Sequence, residues 1–531
     1  MAEHIPLGNI PNGKNGHIPD AGDGISKGGR VAAKYMGTVR DQEEMRALGK
    51  EQVLRRNFDF FSVLGFGSTL IATWEFVLTL LSFGMLNGGT AGLIYGFIII
   101  STGSVFIFAS IAEIASMAPT AGGQYHWVSE FAPPSAQKYL SYTTGWLCAV
   151  GWVLAGVAVS YMAGGIIQGL IILNQGTYVP EAWHGTLLII AIAAFSVFFN
   201  TLLAKKLPLV ETLLLVLHVV GLFVTIIPLW VLAPRNSPKA VFTEFNNGGG
   251  WSSMGTSFMI GMATSLPSMI GYDSAVHMSE EIKDASRTLP KAIMMAVGVN
   301  GCLGFVMLVT LCFTMGDVNE VLDSPTGFPF IQVYYNATKN YAGTSVMVTL
   351  VILSLTASVI SDIATASRQI WSFARDGGLP FSNLLSQVPG DWNIPLNAVM
   401  LSLVATILLS LINLGSDVAL NAVTSLTTSV FLSSYLICIV CILLRRINGE
   451  PLPERRWSLG RWGIFFNIGA LCFLLPMFFF VFFPLTVAPT PETMNWAVVM
   501  YVGIMSIATV YYFLYGRHQY TPPVSLVKRD L

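Results

Sequence analysis

Four ionisable side chains stand inside apolar runs. Glu75 sits in the middle of STLIATWEFVLTLLSF, His218 near the centre of LPLVETLLLVLHVVGLFVTIIPLW, Asp273 in MIGYDSAVHMSEEI, and Asp362 beside Ser358 and Ser361 in LSLTASVISDIATA. A charged group at the middle of a bilayer costs about 3 kcal/mol or more, so it faces a wet cavity, a ligand or a partner helix. Glu75 can pair with a substrate amine, carry a proton, or rest against a neighbouring helix. Histidine ordinarily titrates near neutrality. His218 is therefore a candidate proton carrier, with an interhelical hydrogen bond as the alternative. Asp273 can meet a substrate or cap the helix that follows it. Trp74, Trp152 and Tyr272 can face an ammonium group through their rings or simply pack.

The elements that hold these residues are membrane spans. The chain has 531 residues, 53% hydrophobic and 11% charged, with a mean hydropathy of +0.64. Soluble domains carry about 25% charged residues, so a soluble enzyme is excluded. Runs of about 20 apolar residues suffice to cross a bilayer. Twelve are legible, at 58–86, 90–117, 138–172, 184–203, 208–233, 254–280, 289–315, 343–374, 395–413, 417–444, 463–488 and 496–516. With the N-terminus inside, 25 of the 28 Lys and Arg fall on the inner side and 3 outside. That asymmetry predicts cytoplasmic N- and C-termini. Residues 1–56 are polar and Gly-rich, and are expected to be a disordered tail. The membrane domain spans 57–518, and 519–531 form a C-terminal tail.

Two spans read as interrupted. Ile71-Ala72-Thr73 is a poor helix stretch just before Trp74, and Pro267 with Gly271 breaks span 6. Breaks in spans 1 and 6 predict two inverted five-helix halves, about 57–233 and 254–445, with a binding site between them at mid-membrane and two further helices at 463–516. Glu113, Glu211, Glu280, Glu281, Arg368 and Arg375 lie at inner span ends, where gating salt bridges are expected. The six cysteines fall in apolar runs, and Cys438 and Cys441 share a helix face, which is a packing pattern. No His or Cys spacing suggests a metal or a cofactor, and LGFGSTL lacks the strand that a nucleotide loop needs.

MIGYDSAVHMSEEIKDASRTLPKAI, AEIASMAPTAGGQYHWV (112–128) and ASRQIWSFARDGGLP (366–380) together resemble the amino acid–polyamine–organocation transporters. TWE and GGQYHWVSEFAPP are most similar to the fungal branch that includes GABA and choline permeases. The resemblance covers roughly 55–518 and implies an all-α, twelve-helix LeuT-type fold that works by alternating access. It places substrate contacts on Ile71, Ala72 and Thr73 and on Ser268, Met269, Ile270, Gly271 and Tyr272; Trp74, Glu75, Trp152 and Asp273 join them as candidates on their own chemistry. Many relatives have Gly-x-Gly where this chain has Ile71-Ala72-Thr73, and an aromatic gate where it has Met269. Proton-coupled relatives carry a lysine where His218 stands, so the coupling set implied is His218, Glu75, Ser358, Ser361 and Asp362. Sodium fits the same oxygens.

The expected function is import of a small amine or amino acid, GABA-like, driven by protons. The alternatives are a choline or quaternary ammonium transporter and a sensor that binds without transport. The choline reading predicts an aromatic cage, and the amino-acid reading predicts free backbone amides at the helix breaks. The expected partners are the substrate, protons and membrane lipids. Lys27 and Lys34 are candidate ubiquitin sites for adaptor-driven endocytosis from a plasma membrane.

Overall fold

In lipid every backbone polar group must find a partner inside the protein, which leaves helices as the economical solution for an apolar chain of this kind. The structure, a computed structural model, describes residues 31–528 apart from 391, 416–418 and 492. Among the described residues, eleven helices are long and apolar enough to cross a membrane: Phe60–Thr79, Gly89–Met117, Gln137–Asn174, Ala182–Thr201, Ala204–Leu232, Ala285–Thr314, Tyr341–Arg375, Leu396–Leu414, Leu420–Ile447, Gly460–Phe480 and Ala497–Ser525. The remaining span, the sixth, is too fragmented to qualify by length. It runs as Met254–Ser265, a tight turn Leu266–Met269, extended Ile270, and a short helix Ser274–His277. These are the twelve spans, numbered 1 to 12 below.

Both interruptions have a local cause. In span 1, Asp59 and Ser62 form a reciprocal cap that starts Phe60–Ile71. Ala72 then adopts φ 44° and ψ 50°, and the helix restarts as Thr73–Thr79. A left-handed non-glycine residue is uncommon and strained, so the surrounding packing fixes this break. In span 6, Pro267 tightens the turn, and Gly271 at φ 97° takes a conformation that only glycine adopts without cost. The breaks occupy corresponding positions in spans 1–5 and 6–10, with spans 11 and 12 appended. Span 3 runs through the centre against spans 4, 8 and 10, while span 2 lies along span 7.

The described ends of the chain meet on one face, where the Lys528 amide donates to the Ala47 carbonyl. This is called the terminal face below. The expectation of a disordered tail over 1–56 is corrected for residues 31–56; residues 1–30 lie outside the described ones. A helix, Val39–Ala47, is capped by Thr38 and Asp41. Met45, Leu48 and Leu54 are buried. Asp41 accepts from the amides of Asp284 at 2.9 Å and Ala285 at 3.1 Å, so it caps span 7. Arg56 lies 3.5 Å from Asp41 and donates to the carbonyls of Ser279 and Ile282. Burial alone would raise the Asp41 carboxyl, but the Arg56 guanidinium and the backbone N–H donors outweigh it and hold the group below its ordinary range. The segment is polar because its partners are the polar ends of helices, so its composition resembled that of a solvated tail.

Candidate functional site

A small cavity of about 50 Å³ lies between the two breaks. That is room for a few water molecules and less than an amino acid needs. Ile71 and Phe76 line it from span 1, Trp152 and Val159 from span 3, Ile270 and Gly271 from span 6, and Thr424, Thr427, Thr428 and Phe431 from span 10. Asp362 of span 8 is the only acidic side chain in this lining. Its Oδ2 is buried and meets no protein hydrogen-bond partner. The Trp152 and Phe431 rings stand 4.7 Å apart, and Phe431 stacks on Tyr435 in turn. One acid among three aromatic rings and three hydroxyls is chemistry that can receive a compact cation.

Of the twelve residues expected at the substrate, Ile71, Trp152, Ile270 and Gly271 line this cavity, and Ala72 supplies the break beside it. The others face elsewhere. Thr73 and Tyr272 join hydroxyls at 3.2 Å, beside the Met269 sulfur, away from the cavity lining. Ser104 of span 2 donates to the Met269 carbonyl at 2.8 Å and pins that turn. Ser268 bonds back to the Ser265 carbonyl at 2.8 Å and lines a separate small void. Trp74 donates from Nε1 to the His218 carbonyl at 3.0 Å. Asp273 points below the cavity, where it accepts from Gln124 and from the Tyr435 hydroxyl. The side chain after a break can exit on any side of the new helix, and sequence spacing does not tell which.

The coupling set divides into three places. His218 Nδ1 and Glu75 Oε1 lie 2.9 Å apart, both residues buried, between spans 5 and 1. Glu75 Oε2 and His218 Nε2 have no further hydrogen-bond partner. The pair can therefore hold or pass one proton without any other group. Ser358 donates to the Leu70 carbonyl just before the break in span 1. Ser361 donates to Glu211 Oε1 at 2.9 Å, and Asp362 turns to the cavity. Glu211, expected in a gating salt bridge, is bound by hydroxyls instead: Thr69 lies 3.1 Å from its Oε2. Its place one turn into span 5 faces it toward spans 1 and 8, out of reach of the basic terminal face.

The other gate candidates do pair. Arg375 holds Glu280 with two bonds of 3.0 and 2.8 Å, and its guanidinium lies 4.3 Å from the Trp371 ring centre. Arg368 meets Glu281 at 2.7 Å. Lys50 pairs with Asp376, which also accepts from Tyr125 at 2.9 Å. Glu113 serves a different connection, taking Arg446, Arg455 and Ser458 and so tying span 2 to the end of span 10 and the segment after it. The terminal face is thus closed under the cavity. On the far side, Pro267, Thr424 and Thr428 are shared with a second small void that continues past Leu80, Phe83 and Asn421. Sequence reading missed Phe431 and the threonines of span 10, which NAVTSLTTSVF announces as a hydroxyl-rich stretch in an apolar run.

Residues 58–504 match the family model described as amino acid permease. The chain is 30% identical over 484 residues to the choline transporter of Saccharomyces cerevisiae, covering 90% of this chain and 85% of that one. It is 29% identical over 511 residues to amino-acid permease 2 of Neurospora crassa, covering 94% and 93%. It is 29% identical over 502 residues to the amino-acid permease BAT1 of Arabidopsis thaliana, covering 91% and 96%.

Proposed function

The chain belongs to the amino acid permease family, a transporter of amino acids or amines and not an enzyme, and from that premise we propose that it imports a small amine or amino acid, GABA-like, by proton-coupled alternating access. The observation that carries this reading is the cavity: Asp362, with a free carboxylate oxygen, opposite Trp152, Phe431 and Phe76. The substrate ammonium sits beside Asp362 and against the rings, and Ile270 and Gly271 present backbone to its other end. Glu75 and His218 exchange the coupling proton. The void past Leu80 and Phe83 is the entry from outside. The closed terminal face is cytoplasmic, in keeping with the Lys and Arg asymmetry, and the membrane is the plasma membrane. Lys34, whose ammonium lies 5.2 Å from the Tyr35 ring centre, and Lys27, outside the described residues, are the proposed ubiquitin sites.

A second reading has its own support. Three aromatic walls around one acid are the cage that a quaternary ammonium requires, and one relative is named a choline transporter. An amino acid needs in addition a receptor for its carboxylate, which the backbone at Ile270 and Gly271 would have to supply.

Uptake into liposomes tests both. GABA, choline and the common amino acids are offered with and without an inward proton gradient. Gradient-driven uptake of one compound, lost in His218→Gln, supports the coupled reading. Uptake that follows sodium and ignores the proton gradient overturns it. Choline uptake with no amino-acid uptake selects the cage.

A further inference from the structure

Below the cavity floor lies a second buried group of titratable side chains that the reading above does not use. His277 ends the short helix Ser274–His277 and is fully buried. Its Nδ1 lies 2.9 Å from the Ala121 carbonyl oxygen. A carbonyl only accepts, so Nδ1 carries a hydrogen. Its Nε2 lies 3.5 Å from Asp273 Oδ2 and has no other partner. Asp273 already accepts from two donors, Gln124 on Oδ2 at 2.5 Å and the Tyr435 hydroxyl on Oδ1. A carboxyl that receives hydrogen bonds on both oxygens is suited to being ionised. If Nε2 lacked a hydrogen, its lone pair would face that carboxylate and a buried negative charge would stand without a counterpart.

The remaining neighbours supply no such counterpart. Span 3 brings Cys148 and span 10 brings Tyr435 and Cys438. Arg368 and Arg375 of span 8 are already bound to Glu281 and Glu280. The half of span 1 packed here, Phe60–Ile71, has no titratable side chain, and Arg287 and Lys291 of span 7 are exposed.

We propose that His277 is an imidazolium in this conformation, and that its proton holds the inner half of span 6 shut against the Ala121–Gln124 turn and span 10. With Nε2 protonated, Nδ1 donates to the Ala121 carbonyl and the imidazolium charge, 3.5 Å from Asp273 Oδ2, balances that carboxylate. When that proton passes from Nε2 to water at the terminal face, Asp273 is left unbalanced and the inner half of span 6 is released. Trp152 links this latch to the substrate. Its ring stands 5.7 Å from that of His277 at 71° and also walls the cavity, so occupancy and protonation act on one side chain. The latch rests on the proton-coupled reading for its purpose, but the protonation state of His277 does not depend on it.

The test is nitrogen-15 NMR of the full chain, histidine-labelled, in lipid nanodiscs at pH 7.5. Among the doubly protonated imidazole signals, one is expected that is absent in His277→Gln and Asp273→Asn and retained in His218→Gln. Its persistence in His277→Gln overturns the proposal. Deuterium uptake of residues 274–284, corrected for intrinsic exchange, is then followed against pH. Wild type should open at least tenfold faster as pH rises, and His277→Gln should be open throughout with no pH dependence. A flat wild-type profile overturns the latch, and it decides alone if the variants do not fold. Sodium-driven uptake together with an intact His277 signal would sink the transport reading and spare this one.

Discussion

At the scale of single residues, the cavity depends on one carboxylate. Asp362 offers its free oxygen where an ammonium would sit, and a hydrogen bond to a charged group is worth roughly 1.5–3 kcal/mol. Asp362→Asn should therefore weaken substrate binding by about 10- to 100-fold while leaving the fold intact, because the amide keeps the volume. Calorimetric binding to purified protein checks this, and unchanged affinity would place the substrate elsewhere. Phe431→Ala separates the two substrate readings. It should weaken binding of a quaternary ammonium, which cannot donate a hydrogen bond to Asp362 and leans on the ring faces, more than binding of an amino acid. Much of this was only half legible in the sequence. Composition flagged Glu75, His218, Asp273 and Asp362 as costly, and all four are buried. Which of them faces the cavity is decided by helix rotation, and periodicity does not report that next to a break. From the sequence, Asp362 reads as a coupling residue, Thr73 and Asp273 as substrate contacts, and Glu75 as both.

At the scale of elements, the spans were legible because a bilayer demands long apolar runs, and the sixth was legible through Pro267 and Gly271. The break at Ala72 had the weaker signal, since no glycine or proline marks it; its left-handed conformation is imposed by packing. That makes a stability prediction. Ala72→Gly removes the left-handed strain and should stabilise the protein by about 1 kcal/mol. Ala72→Val, β-branched at positive φ, should destabilise it by about 3 kcal/mol. Thermal unfolding in detergent reads both, and a destabilised glycine variant would show that the strain is absent. Gly271 is the mirror case. An added Cβ there would meet the Ile71 side chain at 3.0 Å at φ 97°, so Gly271→Ala should lose transport by disturbing both breaks together.

At the scale of the whole molecule, both tails close over one face, and this was the least legible part. A low-hydrophobicity tail looks disordered until the helix ends it caps are known. Asp41 carries one side of the closure. Its folded-state acidity lies below the ordinary value near 3.8, so its contribution is present above that pH and is lost as pH falls through the folded value. Asp41→Ala at neutral pH should release helix Val39–Ala47 and make its backbone cleavable by trypsin after Arg40 and Arg46, whose side chains are already exposed. The other side turns on Lys50, whose ammonium burial, and next Arg375, destabilise against the pull of Asp376. The two partners are therefore not equivalent. Asp376→Asn leaves a buried ammonium beside a guanidinium, which should cost about 3–5 kcal/mol. Lys50→Met leaves Asp376 with the Tyr125 hydroxyl and the Arg375 guanidinium still near it, so an apolar chain of similar length should cost less than that at pH 7. A lysine depressed in the folded state gains stability as pH rises toward its ordinary value of 10.5, so the gap between the two variants should narrow in alkali. Equal losses at pH 7, or a gap that widens with pH, would mean that this pair does not set the closure of the terminal face.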